Sequence, residues 1–378
     1  MSRISQFSVC FVLSLGAAFQ ALAAEYIVYF GTAGPRSKGI YASRFDPSTG
    51  KLGEPEIAAE AKSPSFLAVH PSLKSLYAVG ETGGRGRAGT VSAFSMDRKT
   101  GKLTLVNTVS SAGAGPCHLV VDKSGKNVLV ANYSGGSVAV LPIRSDGSLG
   151  EHTSFVQHNG SSVDKGRQEG PHAHSINVSP DNRFAVVADL GLDQILVYRF
   201  DAGAGKLTPN DPPFAKVAPG AGPRHFTFHP NGKFGYVINE MGSTVTAYSY
   251  DAKRGAFTEV QTISSLPADF KGTNYDSEVI TDRAGRFLYG SNRGHDSIAL
   301  FSIDSAKGTL RFVETVSSQG KFPRNFNLDP TGGWMLVGNQ NTDNVAVYKV
   351  DRKTGRIAPT GQQIQAPAPI CIKFVPVE

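Results

Sequence analysis

The chain has 378 residues, a formal net charge of +7, 40% hydrophobic and 18% charged residues, and three cysteines. No block of like charge and no alternating basic-aromatic run accompanies that mild basicity, which argues against a nucleic-acid partner, and three cysteines are too few for a cross-linked scaffold of this size. No stretch beyond the N-terminus reaches the roughly 18 apolar residues that a spanning helix requires.

Residues 1–23 read as a secretory signal peptide to be removed, with Arg3 at the start, the apolar run FSVCFVLSLGAAF, and Ala21-Leu22-Ala23 as a small-residue cleavage site. The mature protein, 24–378, is expected to be exported to the periplasm or secreted, free of the membrane, with Cys117 and Cys371 as free thiols. Its length alone would suggest two domains. The internal repeats point instead to one.

Six segments fit one pattern: PSFLAVHPSLKSLYAVGE at 64, PCHLVVDKSGKNVLVANY at 116, AHSINVSPDNRFAVVADL at 173, PRHFTFHPNGKFGYVINE at 223, DSEVITDRAGRFLYGSNR at 276 and PRNFNLDPTGGWMLVGNQ at 323. Each has an alternating strand, a polar turn and a second apolar strand, which predicts a hairpin. A third alternating strand follows, then a second turn signal such as DRKTGKL at 97 or DAKRGAF at 251. There the aspartate can bond nearby amides and the glycine can take a positive φ. Four strands per repeat predict the blade of a propeller. The segment PICIKF at 369–374 supplies the inner strand of a seventh blade, and YIVYFGTAG, GIYASRFD and the stretch after STGKL supply its other three. The expectation is therefore an all-β, seven-bladed propeller of four-stranded antiparallel blades, closed by pairing the two chain ends and working as a monomer. One long irregular insertion, 157–172, precedes the third hairpin, and its length suggests that it covers something.

Each hairpin brings its two ends to one rim. The second residue of the six segments is Ser65, Cys117, His174, Arg224, Ser277 and Arg324, and the last is Glu81, Tyr133, Leu190, Glu240, Arg293 and Gln340. First strands line the channel of a propeller, so these groups should converge. Alternation along a strand would send some of the next residues, His118, His225 and Glu278, between blades. Arg224 with Glu240 fits either a cross-strand pair fixing register or a binding and catalytic role. His172 and His174 share a strand face but lack a third ligand of defined position, so neither a metal nor a cofactor is expected. Arginines and glutamates in one funnel suggest anion recognition with proton transfer.

The segments GPHAHS, GPRHFTFHPNGKFGYVINE and AGRFLYGSNRGHDSIALF resemble the seven-bladed lactonases of the 6-phosphogluconolactonase type, which are similar to fungal muconate-lactonizing enzymes. The resemblance spans the mature chain. It implies a funnel with His174, Arg224, Glu240 and Arg293 as catalytic residues, to which His172, Glu278, Arg324 and Asn292 are added as substrate contacts. The expected reaction is hydrolysis of a sugar-type lactone, 6-phosphogluconolactone among the candidates. Glu240 or His174 would activate water, and Arg224 and Arg293 would hold the oxyanion. An export signal departs from the cytoplasmic setting of the phosphorylated sugar lactone and leaves an unphosphorylated aldonolactone, or a lactone from aromatic breakdown, equally open. No G-x-S-x-G is present to supply a serine nucleophile. The alternatives are closure of a muconate-type lactone and a non-catalytic binding platform.

Overall fold

The six repeated segments fold as hairpins in a computed structural model that describes residues 25–82 and 86–378. The signal-peptide reading and its cleavage point lie outside the described residues. Blades 1 to 6 occupy 67–110, 116–157, 173–216, 223–264, 275–317 and 323–365, each a sheet of four antiparallel strands in sequence order. In blade 7 the C-terminal strand Pro369–Pro376 pairs with the N-terminal strand Tyr26–Thr32, from Tyr26↔Pro376 to Thr32↔Pro369. The outer strand of this blade is split into Lys51–Leu52 and Glu56–Glu60, both on Gly39–Asp46. Pairing the chain ends leaves no open edge at the seam.

The turn residues act as the sequence suggested. At the 97–103 turn, Asp97 Oδ1 accepts from the amides of Lys99 and Thr100 at 2.8 and 3.2 Å, and Gly101 takes φ +82°. The equivalent glycines also seat the neighbouring blade. A Cβ on Gly255, at φ +64°, would stand 2.5 Å from the Phe184 ring. Between blades the two facing sheets share one apolar layer, as where Tyr236 and Val245 of blade 4 meet Leu288 and Phe301 of blade 5. Tyr236 Oη crosses that layer to donate to Gly308 O at 3.1 Å.

Strict pairing fails at two recurrent places, between the third and fourth strands and at the start of the inner strand, and the second of these lies at the channel. Pairing runs Pro223↔Asn239 and then His225↔Ile238, which leaves Arg224 as an extra residue. The same skip occurs at Cys117, His174, Arg324 and Ile370. Such a bulge bends the strand and re-aims side chains. Successive residues therefore turn toward the axis together. His118 and His225, expected between blades, instead meet across the channel with ring centroids 5.1 Å apart, although they belong to blades 2 and 4. Phe66 of the first hairpin covers His118 at 4.3 Å. Cys117 and Cys371 are buried free thiols.

Candidate active site

The bulged residues and those that follow each second strand enclose a central cavity with two lobes. The larger lobe, about 200 Å³, is lined by Tyr133, Arg167, His174, Glu240 and Arg293. A narrow floor is formed by Ser65, Phe66, Arg224, His225 and Ile370, and Glu81, Cys117 and Arg324 border both.

Glu240 organises the charge. Its Oε2 lies 3.1 Å from Arg224 Nε and 2.8 Å from Arg293 Nη2, and its Oε1 lies 2.6 Å from Arg167 Nη2. Burial alone would raise the pKa of this carboxyl, but Arg293, Arg224 and Arg167 outweigh burial and hold it at about 2. Two of the guanidiniums are anchored from behind by main chain. Arg224 Nη1 donates to Ser277 O at 2.9 Å, and Arg293 Nη2 donates to Asp276 O at 2.8 Å. Burial, then the neighbouring Arg293 and Arg324, lowers Arg224 to about 9, so it remains a cation at neutral pH.

Arg167 comes from the 157–172 insertion, whose ends are tied to one carboxylate. His158 Nδ1 lies 2.6 Å from Asp189 Oδ2, and the His172 amide donates to Asp189 Oδ1 at 2.7 Å. Ser162 Oγ donates to Asp193 Oδ2 at 2.5 Å, and Gln168 Nε2 donates to Leu190 O at 2.9 Å. Held at these points, the loop sets Arg167 over the cavity, with 37% of its side chain exposed. Its covering role was expected from its length, whereas no local motif marked Arg167 as the residue delivered.

His174 lines the larger lobe, with Nδ1 3.9 Å from Cys117 Sγ. Burial, then Arg224, His225 and Arg324, holds its pKa well below that of a free imidazole. It is neutral. Arg324 lines both lobes, with Nη1 3.4 Å from Gln340 Oε1.

The other expected substrate contacts sit elsewhere. His172 is stacked on Tyr133, with ring centroids 4.5 Å apart and Nδ1 3.0 Å from Tyr133 O, behind the cavity wall. Glu278 lies below the floor, its Oε1 2.9 Å from His225 Nδ1 and its other oxygen accepting from Asn325 Nδ2. Asn292 is inside blade 5, accepting from Ser265 Oγ at 2.9 Å and donating to Ser297 Oγ at 3.1 Å. Asn132, Asn239 and Asn339 end the second strands of their own blades; Asn132 and Asn339 donate to Ser111 O and Ser318 O, on the connectors from the preceding blades, and Asn239 donates to Thr246 Oγ1 on the third strand of its own blade. Recurrence of asparagine at that place was the available signal of a blade-building role. Among the described residues no group of three His, Cys, Asp or Glu is disposed to hold a metal ion.

A model of the lactonase family described as "Lactonase, 7-bladed beta-propeller" matches residues 27–374. The chain belongs to the seven-bladed β-propeller lactonase family. It is similar to a 6-phosphogluconolactonase of Bacillus subtilis, 38% identical over 352 residues that cover 93% of this chain and 99% of that protein. A 6-phosphogluconolactonase of Formosa agariphila is 34% identical over 89% of this chain and 96% of its own. Among solved structures, the periplasmic gluconolactonase of Pseudomonas aeruginosa superposes with a TM-score of 0.89 at 34% identity, over 94% of this chain and 100% of that one. These lactonases match over nearly their whole length, so the blades that build the cavity lie within the matched region.

Proposed function

We propose that this lactonase hydrolyses a sugar-type aldonolactone, 6-phosphogluconolactone being one candidate, in the cavity around Glu240. One observation carries the reading. In a chain of this family, Arg224 and Arg293 converge on one buried carboxylate with Arg167 above them. Four arginines against the carboxylates of Glu81 and Glu240 leave the lining with a surplus of positive charge. Such a surplus suits a substrate or product bearing an anion.

In this reading the lactone carbonyl oxygen accepts from guanidiniums of the cluster, whose donors are positioned before the reaction and shielded from bulk water. Negative charge that grows on that oxygen as water attacks is stabilised there. Glu240 is engaged by three guanidiniums, each of which favours its ionised form, so it is a weak base and serves to hold the arginines. His174 is a neutral imidazole whose protonation burial opposes, then Arg224, His225 and Arg324, and its place in the wall suits contact with the lactone.

The described residues contain no helix long and apolar enough to cross a membrane. We further propose that residues 1–23 are removed on export and that 24–378 acts in the periplasm as a monomer. The likeness to a periplasmic gluconolactonase supports that setting.

The test is a panel of δ- and γ-aldonolactones and 6-phosphogluconolactone, assayed at mildly acidic pH where spontaneous opening is slow. Catalysed opening of at least one is expected. Conversion of muconate, followed by its ultraviolet absorbance, would favour ring closure instead, and inactivity on every compound would favour a binding platform.

A further inference from the structure

Glu240 and Glu81 occupy equivalent places, each the first residue after the second strand of its blade. Blades 4 and 1 stand three apart in a ring of seven, so the two residues approach the cavity from nearly opposite sides. Their surroundings differ. Glu240 is saturated by arginines, whereas the Glu81 carboxylate makes no hydrogen bond or ion pair with any described residue. Its main chain is fixed, since the Glu81 amide donates to Ser63 O at 3.0 Å. The side chain is half-buried and borders both lobes beside Cys117 and Arg324.

We propose that Glu81 is the general base of lactone hydrolysis, a role that rests on the lactonase reading above. A base must be free to accept a proton, and of the two carboxylates lining the cavity only Glu81 is uncommitted. Glu81 takes one proton from water as the water oxygen bonds to the carbonyl carbon, and the carbonyl electron pair moves onto the oxygen held by the guanidiniums. The tetrahedral adduct then collapses, the ring C–O bond breaks, and the departing alkoxide recovers the proton from Glu81. The product is a hydroxy acid, which releases its own proton to solvent as the carboxylate. The charged and titratable groups facing Glu81 are Arg324 and Cys117 beside it, and Arg167, Arg293, Arg224 and Glu240 from the insertion and from blades 4 and 5. The neutral imidazoles of His174 and His225 and the Tyr133 hydroxyl complete the wall.

The experiment compares the full mature chain with Glu81→Gln, Glu81→Asp and Glu81→Ala on the lactone that the parent opens fastest, recording kcat and KM across pH together with melting temperature. Glu81→Gln should lose about a hundredfold to ten-thousandfold in kcat with KM within about threefold, and the acid limb of kcat/KM should vanish. Glu81→Asp should keep that limb and part of the rate. Added formate should restore part of the activity of Glu81→Ala. Glu81→Gln within threefold of the parent would overturn the proposal, as would a loss confined to KM with the acid limb intact, or folded Glu81→Ala that formate does not rescue. A parent that opens no lactone would overturn the underlying reading and this role with it.

Discussion

Arg167 Nη2 lies 2.6 Å from Glu240 Oε1, so an arginine on the loop before blade 3 completes a carboxylate site that blade 4 begins. Arg224 and Arg293 meet the opposite oxygen of Glu240 from below. The cluster thus joins two buried arginines fixed by inner strands to one partly exposed arginine carried by a loop.

Replacing Arg167 should separate activity from stability. The side chain is 37% exposed, and its loss leaves Glu240 paired on its other oxygen. Arg167→Met should therefore shift the melting temperature little. A charge-assisted hydrogen bond is worth about 1.5–3 kcal/mol, so kcat/KM should fall by about ten- to a hundredfold. Steady-state kinetics beside a thermal melt would check both.

Replacing Glu240 should cost stability as well as activity. Glu240→Gln removes the one carboxylate that pairs with the Arg224 and Arg293 guanidiniums, 2% and 6% exposed. Removing one member of a buried ion pair costs about 3–5 kcal/mol, which denaturant unfolding would measure. Glu240→Gln combined with Arg224→Met should recover part of that stability and none of the activity.

The buried histidines and Glu240 should each withdraw stability as pH falls, in two stages. His118, His174 and His225 are held below the ordinary imidazole value of 6.5, chiefly by burial. They stay neutral in the fold while the unfolded chain takes up protons, so their contribution is full above pH 6.5 and is lost as pH falls. Each adds a slope of up to about 1.4 kcal/mol per pH unit. Glu240 has the same sign in a lower window, its contribution being lost between its unfolded value near 4.5 and about 2. Urea unfolding from pH 8 to 5 should show the first stage, and His118→Phe should flatten it.

The seven-bladed ring and its closure could be read from the chain because each blade repeats the same local chemistry. The Asp97 and Gly101 turn has counterparts in other blades, and PICIKF completes the blade that the N-terminus begins. The rim carrying Arg224, Glu240 and Arg293 was legible for the same reason. The bulge was not, because the extra residue at Arg224 or His174 follows from how inner strands crowd the axis rather than from local preference. That bulge is why His118 and His225 face the channel. Arg167 was equally hidden, since its place depends on the tertiary anchors of His158 and Ser162. Glu278 and Asn292 were expected as substrate contacts, but their side chains are spent on His225 and on Ser265 and Ser297.

Closure also bears on truncation. The strand Pro369–Pro376 is the inner strand of blade 7, and Cys371 and Val375 belong to the apolar layer shared with blade 1. Deleting residues 369–378 opens an inner edge and exposes that layer. The mature chain so shortened should lose its cooperative melt by calorimetry.

The most direct test of the central claim is the kcat/KM for lactone opening of Arg224→Met beside the parent. Arg224 is 2% exposed and fixed between Glu240 and Ser277 O, and Glu240 keeps Arg167 and Arg293 without it. If the guanidinium cluster holds the developing oxyanion, the variant should stay folded and lose about a hundred- to a thousandfold. A folded Arg224→Met that opens the lactone within a few-fold of the parent rate would contradict the account.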